Sequence, residues 1–543
     1  MRSAQAPWVI LLAAAATVAL PWLWPWAPPP IPAVPGLLSA WGLTALLWGL
    51  SQWPASRQGP VLSPLALTLL MGLVGLAAWR MPFIDLALLG GLFGSGMCVL
   101  LASQCVRHGN AFLLPAIGGG VLAAASLSAI LGLLQYGGLL REPHAVWSWL
   151  HASPGEEAYG QLRQRNQLGS LMALGLAAWC YLAHLGWTCR VMRLLAWVTL
   201  ALLSLGAAAS SSRTGALAWV GLCLLTLVWP TASAPNRRGP SARQGALVAL
   251  GAFLLLSGLL PWLAAQVHTV QLPKASAFER LVTQSEGMGI CESRLVLWRH
   301  VLALSIQQPW MGWGFGELDF AHATQTIPGE RFCGQLGHAH NLLLHLAVEW
   351  GWPLTLLGVS CAVMWVVRRQ PWQARHPLSV LGWSWLGVIG LHSGLEFPLW
   401  YGPFQMILGL AVGGIIVGQT LGTPGSSPNS NVVKPCSSGS MQQIASRVVV
   451  ALGLCCCAWA GWDYHRVSQV FQPAVLRSED CRTAPQQCLN QVVWFHQARD
   501  FALLRQAMAV NDTEQAQALA IRVAHFAPEA WVLAQVRVVA HPK

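Results

Sequence analysis

The chain has 543 residues, of which 55% are hydrophobic and only 9% are Asp, Glu, Lys or Arg. A soluble domain carries about 25% charged residues, so this composition excludes a large soluble enzyme, a disordered chain and a coiled coil. Lys and Arg outnumber Asp and Glu by 31 to 19, a balance of +12, which in a membrane protein is the ordinary consequence of basic residues kept on cytoplasmic loops.

In chain order, the N-terminal region to residue 150 has Arg2, Arg57, Arg80, Asp85, Arg107, Arg141 and Glu142 as its formal charges. The apolar runs between them reach the about 20 residues needed to cross a bilayer. Arg2 is followed by the run Trp8 to Leu20 and then by a Pro- and Trp-rich cluster through Pro35. No small-residue cleavage site is evident, which predicts a first membrane helix rather than a removed signal. Candidate spans are 7–27, 35–53, 61–79, 82–103, 111–140, 167–186, 192–209, 214–230, 244–266, 342–367, 377–396, 402–420 and 447–463. The predicted fold is all-α, a polytopic helical bundle of about 12–13 spans. It divides into N-terminal membrane helices (1–140), a core region (141–420), a linker (421–446), a last membrane helix (447–463) and a tail (464–543). With the N-terminus in the cytoplasm, the inside loops hold Arg57, Arg107, Arg190 with Arg193, Arg237 with Arg238 and Arg243, Arg368 with Arg369 and Arg375, and Lys434, as the positive-inside rule requires.

Two outside loops stand out, 141–166 and the longer 267–341. The second predicts a helix from Glu292 to Gln307 with Leu295, Trp298, Val301, Leu302 and Leu304 on its apolar face, suited to the membrane surface. The Gly-, Ser-, Pro- and Asn-rich stretch 421–446 reads as a flexible linker. In the tail, runs 485–510 and 513–525 read as helices, with Asn511-Asp512-Thr513 as break and cap, a hairpin similar to one tetratricopeptide unit. The 14 cysteines are not spaced as C-x-x-C pairs, so no zinc site is indicated. Cys455-Cys456-Cys457 reads as small packing residues of a membrane helix rather than acylation sites. Cys291 with Cys333 and Cys481 with Cys488 are either disulfides of an oxidising compartment or buried free thiols.

Four arginines break the positive-inside pattern: Arg163 and Arg165 before one span, Arg213 at a helix end, and Arg294 in the long loop. A guanidinium at membrane level is expensive and marks function by default, and its rigid fork suits phosphate oxygens. The ordinary alternative is that each reaches lipid phosphate or pairs with Glu156 or Glu157. His338-Ala339-His340-Asn341 lies in the same layer. An imidazole titrates near neutral pH and can take a proton from a hydroxyl. His338 and His340 share a face poorly, which argues against a two-histidine metal site. His392 through Tyr401 adds Glu396, an acid in an apolar context that can orient an imidazole or an arginine.

Arg165-Asn166-Gln167, Ser212-Arg213-Thr214-Gly215, Arg294 with Trp298, Pro309 through Gly316, and His340-Asn341 followed by Glu349 and Gly351 together resemble the bacterial O-antigen ligase superfamily. That superfamily includes O-antigen ligases, O-antigen polymerases and pilin-type protein O-oligosaccharyltransferases. The resemblance covers about residues 165–416, while 1–110 and 470–543 match only in hydropathy or placement. The runs Leu162–Gln167 and His392–Tyr401 most resemble the protein O-oligosaccharyltransferase branch. The resemblance implies an inner-membrane enzyme whose site faces the periplasm. It would move a whole oligosaccharide from undecaprenyl pyrophosphate to Ser or Thr hydroxyls of a pilin-like protein. It implies His340 as general base, and Arg213 and Arg294 as pyrophosphate ligands with Arg165 and Arg163 next. Glu396 and Tyr401 would bind the acceptor or orient the base, supported by His392, Asn166 and His338. No cofactor, metal or nucleic acid is implied; the partners are the lipid-linked donor, the acceptor protein and membrane lipids. Gly312, Gly314 and Gly316 read as backbone turns rather than a nucleotide loop. The alternatives are transfer to lipid A-core, O-antigen polymerisation and, from a different class, a transporter. A transporter would place charge near the bilayer midplane, whereas these charges gather at one face.

Overall fold

The computed structural model describes residues 8–52, 63–143, 149–155, 157–229, 239–266, 291, 293–329, 331–334, 336–422 and 439–540. Arg2, Arg57, Arg237, Arg238, Lys434, Glu156, Glu292 and most of the expected linker lie outside them. Among the described residues every regular element is a helix. The first nine are α1 (Trp8–Ala19), α2 (Val34–Ser51), α3 (Pro64–Arg80), α4 (Leu86–His108), α5 (Leu114–Tyr136), α6 (Arg165–Leu185), α7 (Arg190–Ala209), α8 (Arg213–Val228) and α9 (Ala242–Gln266). The long connection holds α10 (Arg294–Gln307) and α11 (Leu318–Thr324). Then come α12 (Leu342–Trp350), α13 (Trp352–Arg369), α14 (Pro377–Leu395), α15 (Gly402–Gly422) and α16 (Gly439–Val470). The tail is α17 (Glu479–Thr483), α18 (Pro485–Asn490), α19 (His496–Ala509), α20 (Thr513–Val523) and α21 (Ala530–Ala540).

Among the described residues nine helices are long and apolar enough to cross a membrane: α2, α4, α5, α6, α7, α9, α14, α15 and α16. Helices α1, α3 and α8 are shorter and apolar. The chain is a polytopic membrane helical bundle. Its helix starts follow local chemistry: Asp85 caps α4 by accepting Leu88 N–H at 3.0 Å, and Ser63 caps α3 ahead of Pro64.

Helix α6 is the most deeply buried span and packs against α5, α7, α8 and α14. Trp179, Trp219 and Trp385 fill the space around it, and Trp385 Nε1 donates to Leu174 O at 3.0 Å. Where lipid offers no hydrophobic drive between helices, small residues permit close backbone contact. A Cβ on Gly169 of α6 would sit 2.8 Å from Gly215 Cα of α8. That contact sets the first turns of α6 and α8 side by side.

The expected span 342–367 is corrected: it is two helices, α12 and α13, broken at Gly351 (φ +81°). The cause is the segment 309–314, which lies across the break. Trp313 N–H donates to Val348 O at 2.8 Å, Gly314 N–H to Glu349 O at 3.1 Å, and Trp352 N–H to Pro309 O at 2.8 Å. The segment thus satisfies carbonyls that a helix end leaves unpaired. A Cβ on Gly351 would fall 2.4 Å from Trp310 O, so the glycine is required there. The apolar face expected of α10 is also corrected. Trp298, Val301 and Leu304 face the protein, but Leu295 and Leu302 are exposed, and Val296 and Leu297 are buried instead. Helix α10 packs on α12 through the stripe Leu297, Val301 and Leu304, one turn-by-turn ridge.

The last of the membrane helices runs from Gly439 to Val470, and its span-capable stretch is Ile444–Val470, where 447–463 was expected. Its end is tied down by Tyr464, whose hydroxyl accepts Ile31 N–H at 2.8 Å, and by Asp463, whose carboxylate accepts the N–H groups of Val493, Trp494 and Phe495. The expected helical run 485–510 is broken after Asn490, where those amides turn towards Asp463. The expected cap is present: Asp512 accepts Gln515 N–H at 3.0 Å. Helices α19 and α20 form a hairpin over Leu504, Leu519 and Val523. It docks on the long connection through His525, which bonds Glu317 at 2.6 Å and stacks on Phe320 at 3.9 Å. Cys291–Cys333 and Cys481–Cys488 are disulfides. Cys455, Cys456 and Cys457 are unpaired on α16.

Candidate active site

Helices α6, α8, α10 and α12 begin, and α14 ends, at the same end of the bundle. Ser212 caps α8 by accepting Gly215 N–H at 2.9 Å, and Ser293 caps α10 by accepting Val296 N–H at 3.3 Å. Asn341 caps α12 by accepting Leu344 N–H at 3.1 Å. Arg213 and Arg294 are therefore each the first residue of a capped helix, and Arg165 leads α6 without a side-chain cap. A helix N-terminus already carries about half a positive charge, and a cation there is disfavoured by about 0.3–1 kcal/mol. Three such pairings favour negative charge beside them, and Glu157 and Glu396 supply it to Arg165 and Arg294.

The centre is Glu396, buried just past the end of α14. Its Oε2 meets His340 Nδ1 at 2.7 Å and Gln164 Nε2 at 3.4 Å. Its Oε1 accepts Asn166 Nδ2 at 2.6 Å and an Arg294 Nη2 hydrogen bond. Burial works against the charge of this carboxylate. The His340 hydrogen bond and the charges of Arg294, His340 and His392 outweigh it and hold Glu396 below the ordinary carboxyl value. It is therefore an anion at neutral pH, and His340 donates Nδ1–H to it. In the neutral form of this ring the lone pair is on Nε2, and the His340 side chain is 34% exposed, which leaves that nitrogen open to a substrate. His340 itself has φ +49°, a region that costs a non-glycine residue about 1–3 kcal/mol and concentrates at functional sites.

Arg213 is half-buried and feels the like charges of Arg294 and Arg165 and the opposite charge of Glu396. Arg165 follows the ordinary alternative: it bonds Glu157 at 2.8 Å in an exposed pair. Arg163 is exposed and reaches Ala27 O at 3.4 Å, further from the centre. His338 is not beside the carboxylate. Its ring packs on Phe397 at 4.2 Å and Trp400 at 4.9 Å. Burial there, with His345 and His340 nearby, holds it well below the ordinary imidazole value, so it stays neutral. His392 is buried behind Glu396, edge-on to Phe404 at 5.3 Å. Tyr401 stacks on Phe397 at 5.9 Å, and Phe397 meets the His340 ring edge-on at 4.9 Å.

The sequence places Ser212 and Gln164 within resembling motifs but gives neither a role. Ser212 Oγ donates to Asn166 Oδ1 at 2.7 Å, which turns the amide so that Nδ2 faces Glu396. The available signal was a serine directly before a wrong-side arginine, the usual place of a helix cap. Among the described residues no group of three or more His, Cys, Asp or Glu side chains is arranged to hold a metal ion. A groove of about 1420 Å³ opens beside the site. Leu37 and Trp41 of α2, Phe93 of α4, Leu357 of α13 and Leu452 of α16 form its apolar walls, and Phe397 and Tyr401 also line it.

Two family descriptions match this chain, "O-Antigen ligase" over residues 198–359 and "Virulence factor membrane-bound polymerase, C-terminal" over 380–540. The first span contains Arg213, Arg294 and His340, and the second contains His392, Glu396 and Tyr401. The second also takes in the tail, for which sequence reasoning found only general placement. The chain resembles the O-antigen ligase superfamily, with an oligosaccharyltransferase branch. Its similarity extends to a "General O-oligosaccharyltransferase" of Acinetobacter baylyi, 23% identical over 356 residues, which are 64% of this chain and 57% of that relative.

Proposed function

We propose that the protein is an oligosaccharyltransferase of the bacterial inner membrane with its site facing the periplasm. It moves a preassembled glycan from undecaprenyl pyrophosphate to a Ser or Thr hydroxyl of a pilin-like protein. The observation that carries this reading is the His340–Glu396 pair at 2.7 Å among helix-leading arginines. His340 Nε2 takes the hydroxyl proton as the oxygen attacks the anomeric carbon. The bond from that carbon to the pyrophosphate oxygen breaks, and its electron pair leaves with the pyrophosphate. Attack from the opposite face inverts the anomeric centre. Glu396 stabilises the imidazolium, and the proton then passes to water.

Arg213 and the remaining N–H groups of Arg294 meet the charge that grows on the leaving group; such preorganised donors are each worth about 10²–10³ in kcat. Arg165 joins them only by leaving Glu157, and Arg163 acts at the rim. The apolar groove suits a long hydrocarbon chain with its headgroup at the arginines. Tyr401 and Phe397 face the acceptor. The O-Antigen ligase match favours a second reading, the same donor chemistry with lipid A-core or another lipid-linked glycan as acceptor. Reconstitution with a lipid-linked oligosaccharide and three acceptors tests both: a pilin-like protein, lipid A-core and a second lipid-linked glycan. Modification of the protein alone supports the first reading; modification of lipid A-core or glycan alone overturns it.

A further inference from the structure

A second cavity, of about 560 Å³, lies between the tail and the N-terminal proline segment. Its walls are Phe471, Phe501, Phe526, Trp531 and Ile31, with Arg505 at the rim. Phe501 stands 6.2 Å from Phe471 and 5.6 Å from Trp531, ring to ring. The neighbouring tail arginines Arg499 and Arg522 both bond Asp500, whereas exposed Arg505 has no carboxylate partner among the described residues. Ile31 and Phe526 also line the larger groove, so the two cavities share a wall.

We propose that this cavity docks the acceptor protein. An apolar side chain of the acceptor sits among the four aromatic rings, an adjacent carboxylate meets Arg505, and a nearby hydroxyl residue is delivered towards His340. The volume takes one or two side chains, not a folded domain. A glycan fits less well, because the polar lining is Arg505 and Glu529 and Glu529 already accepts the Trp531 indole N–H. A buried aromatic anchor beside a rim charge is the usual division between affinity and steering.

The inference rests on the protein-acceptor reading, and the test separates the two. Glycoproteomics of cells with and without the full chain first identifies a protein that loses its glycan. That purified acceptor is then titrated against the full-length protein in lipid nanodiscs with lipid-linked oligosaccharide. Arg505→Glu raises KM for the acceptor about tenfold, with kcat and acceptor-free donor hydrolysis within twofold of wild type; a tenfold change is the scale of one good contact. Arg505→Lys, which keeps the charge, stays within threefold. Trp531→Ala raises KM further. Wild-type KM in both Arg505→Glu and Trp531→Ala overturns the docking site while leaving the transferase reading intact. If no protein loses its glycan, both fall.

Discussion

His340 donates through Nδ1 to Oε2 of Glu396 at 2.7 Å, across 56 residues of sequence, and the carboxylate it meets is buried while the imidazole remains open to a substrate. A neutral amide at position 396 would keep the shape and remove the charge that balances an imidazolium. Glu396→Gln is therefore expected to lower the transfer rate at least 10²-fold, the scale of a lost general base, with the donor KM within threefold. His340→Ala gives at least the same loss. Initial rates in proteoliposomes check both, and an unchanged rate in either variant removes the pair from the chemistry.

The arginines separate by their present partners. Arg213 lies in the positive layer, and Arg165 already holds Glu157. A lysine supplies charge but not the two-pronged donor geometry of a guanidinium. Arg213→Lys is expected to lose about 10²-fold in kcat/KM for the donor, whereas Arg165→Lys loses less than tenfold, since exposed ion pairs contribute about 0–1 kcal/mol. Equal losses would place both arginines on the pyrophosphate.

Much of this site was legible because the chain is poor in charge. Arg213, Arg294, His340 and Glu396 stand out as polar groups at the wrong end of apolar runs, and the structure brings Arg294 and His340 onto Glu396. The break at Gly351 was not legible. Leu342 to Val367 reads as one apolar run, and the backbone segment that interrupts it arrives from residues 309–314. Glycine at such a contact is forced by a neighbour distant in sequence, which local periodicity does not report. The exposed Leu295 and Leu302 have the same origin: a short helix with apolar residues on most sides can bury either stripe, and the partner α12 selects one.

Ser212 tests whether the network acts as a unit. Its hydroxyl caps α8 and also donates to Asn166, whose amide then points Nδ2 at Glu396. Glycine retains most of the capping value, within a few tenths of a kcal/mol, but removes the donor to Asn166. Ser212→Gly is expected to lower kcat about tenfold with melting temperature nearly unchanged, and Ser212→Thr to restore it. Loss of stability in parallel with activity would reduce Ser212 to a cap.

The pH dependence of stability isolates a different carboxyl, Asp319 in α11. Burial, with the charge of Glu317 beside it, pushes Asp319 up to about 7 against the hydrogen bond it accepts from Phe320 N–H at 2.8 Å. The folded protein therefore holds a proton that the unfolded chain releases near the ordinary value of 3.8. This favours unfolding progressively as pH rises from about 4 towards 7 and fully above that. Asparagine keeps the acceptor for Phe320 N–H and cannot ionise. Asp319→Asn is expected to raise the melting temperature of the detergent-solubilised protein at pH 8 and to change it much less at pH 4. Thermal unfolding of both proteins across that range measures the difference directly. A shift of equal size at the two ends would mean that packing, not the proton, accounts for it.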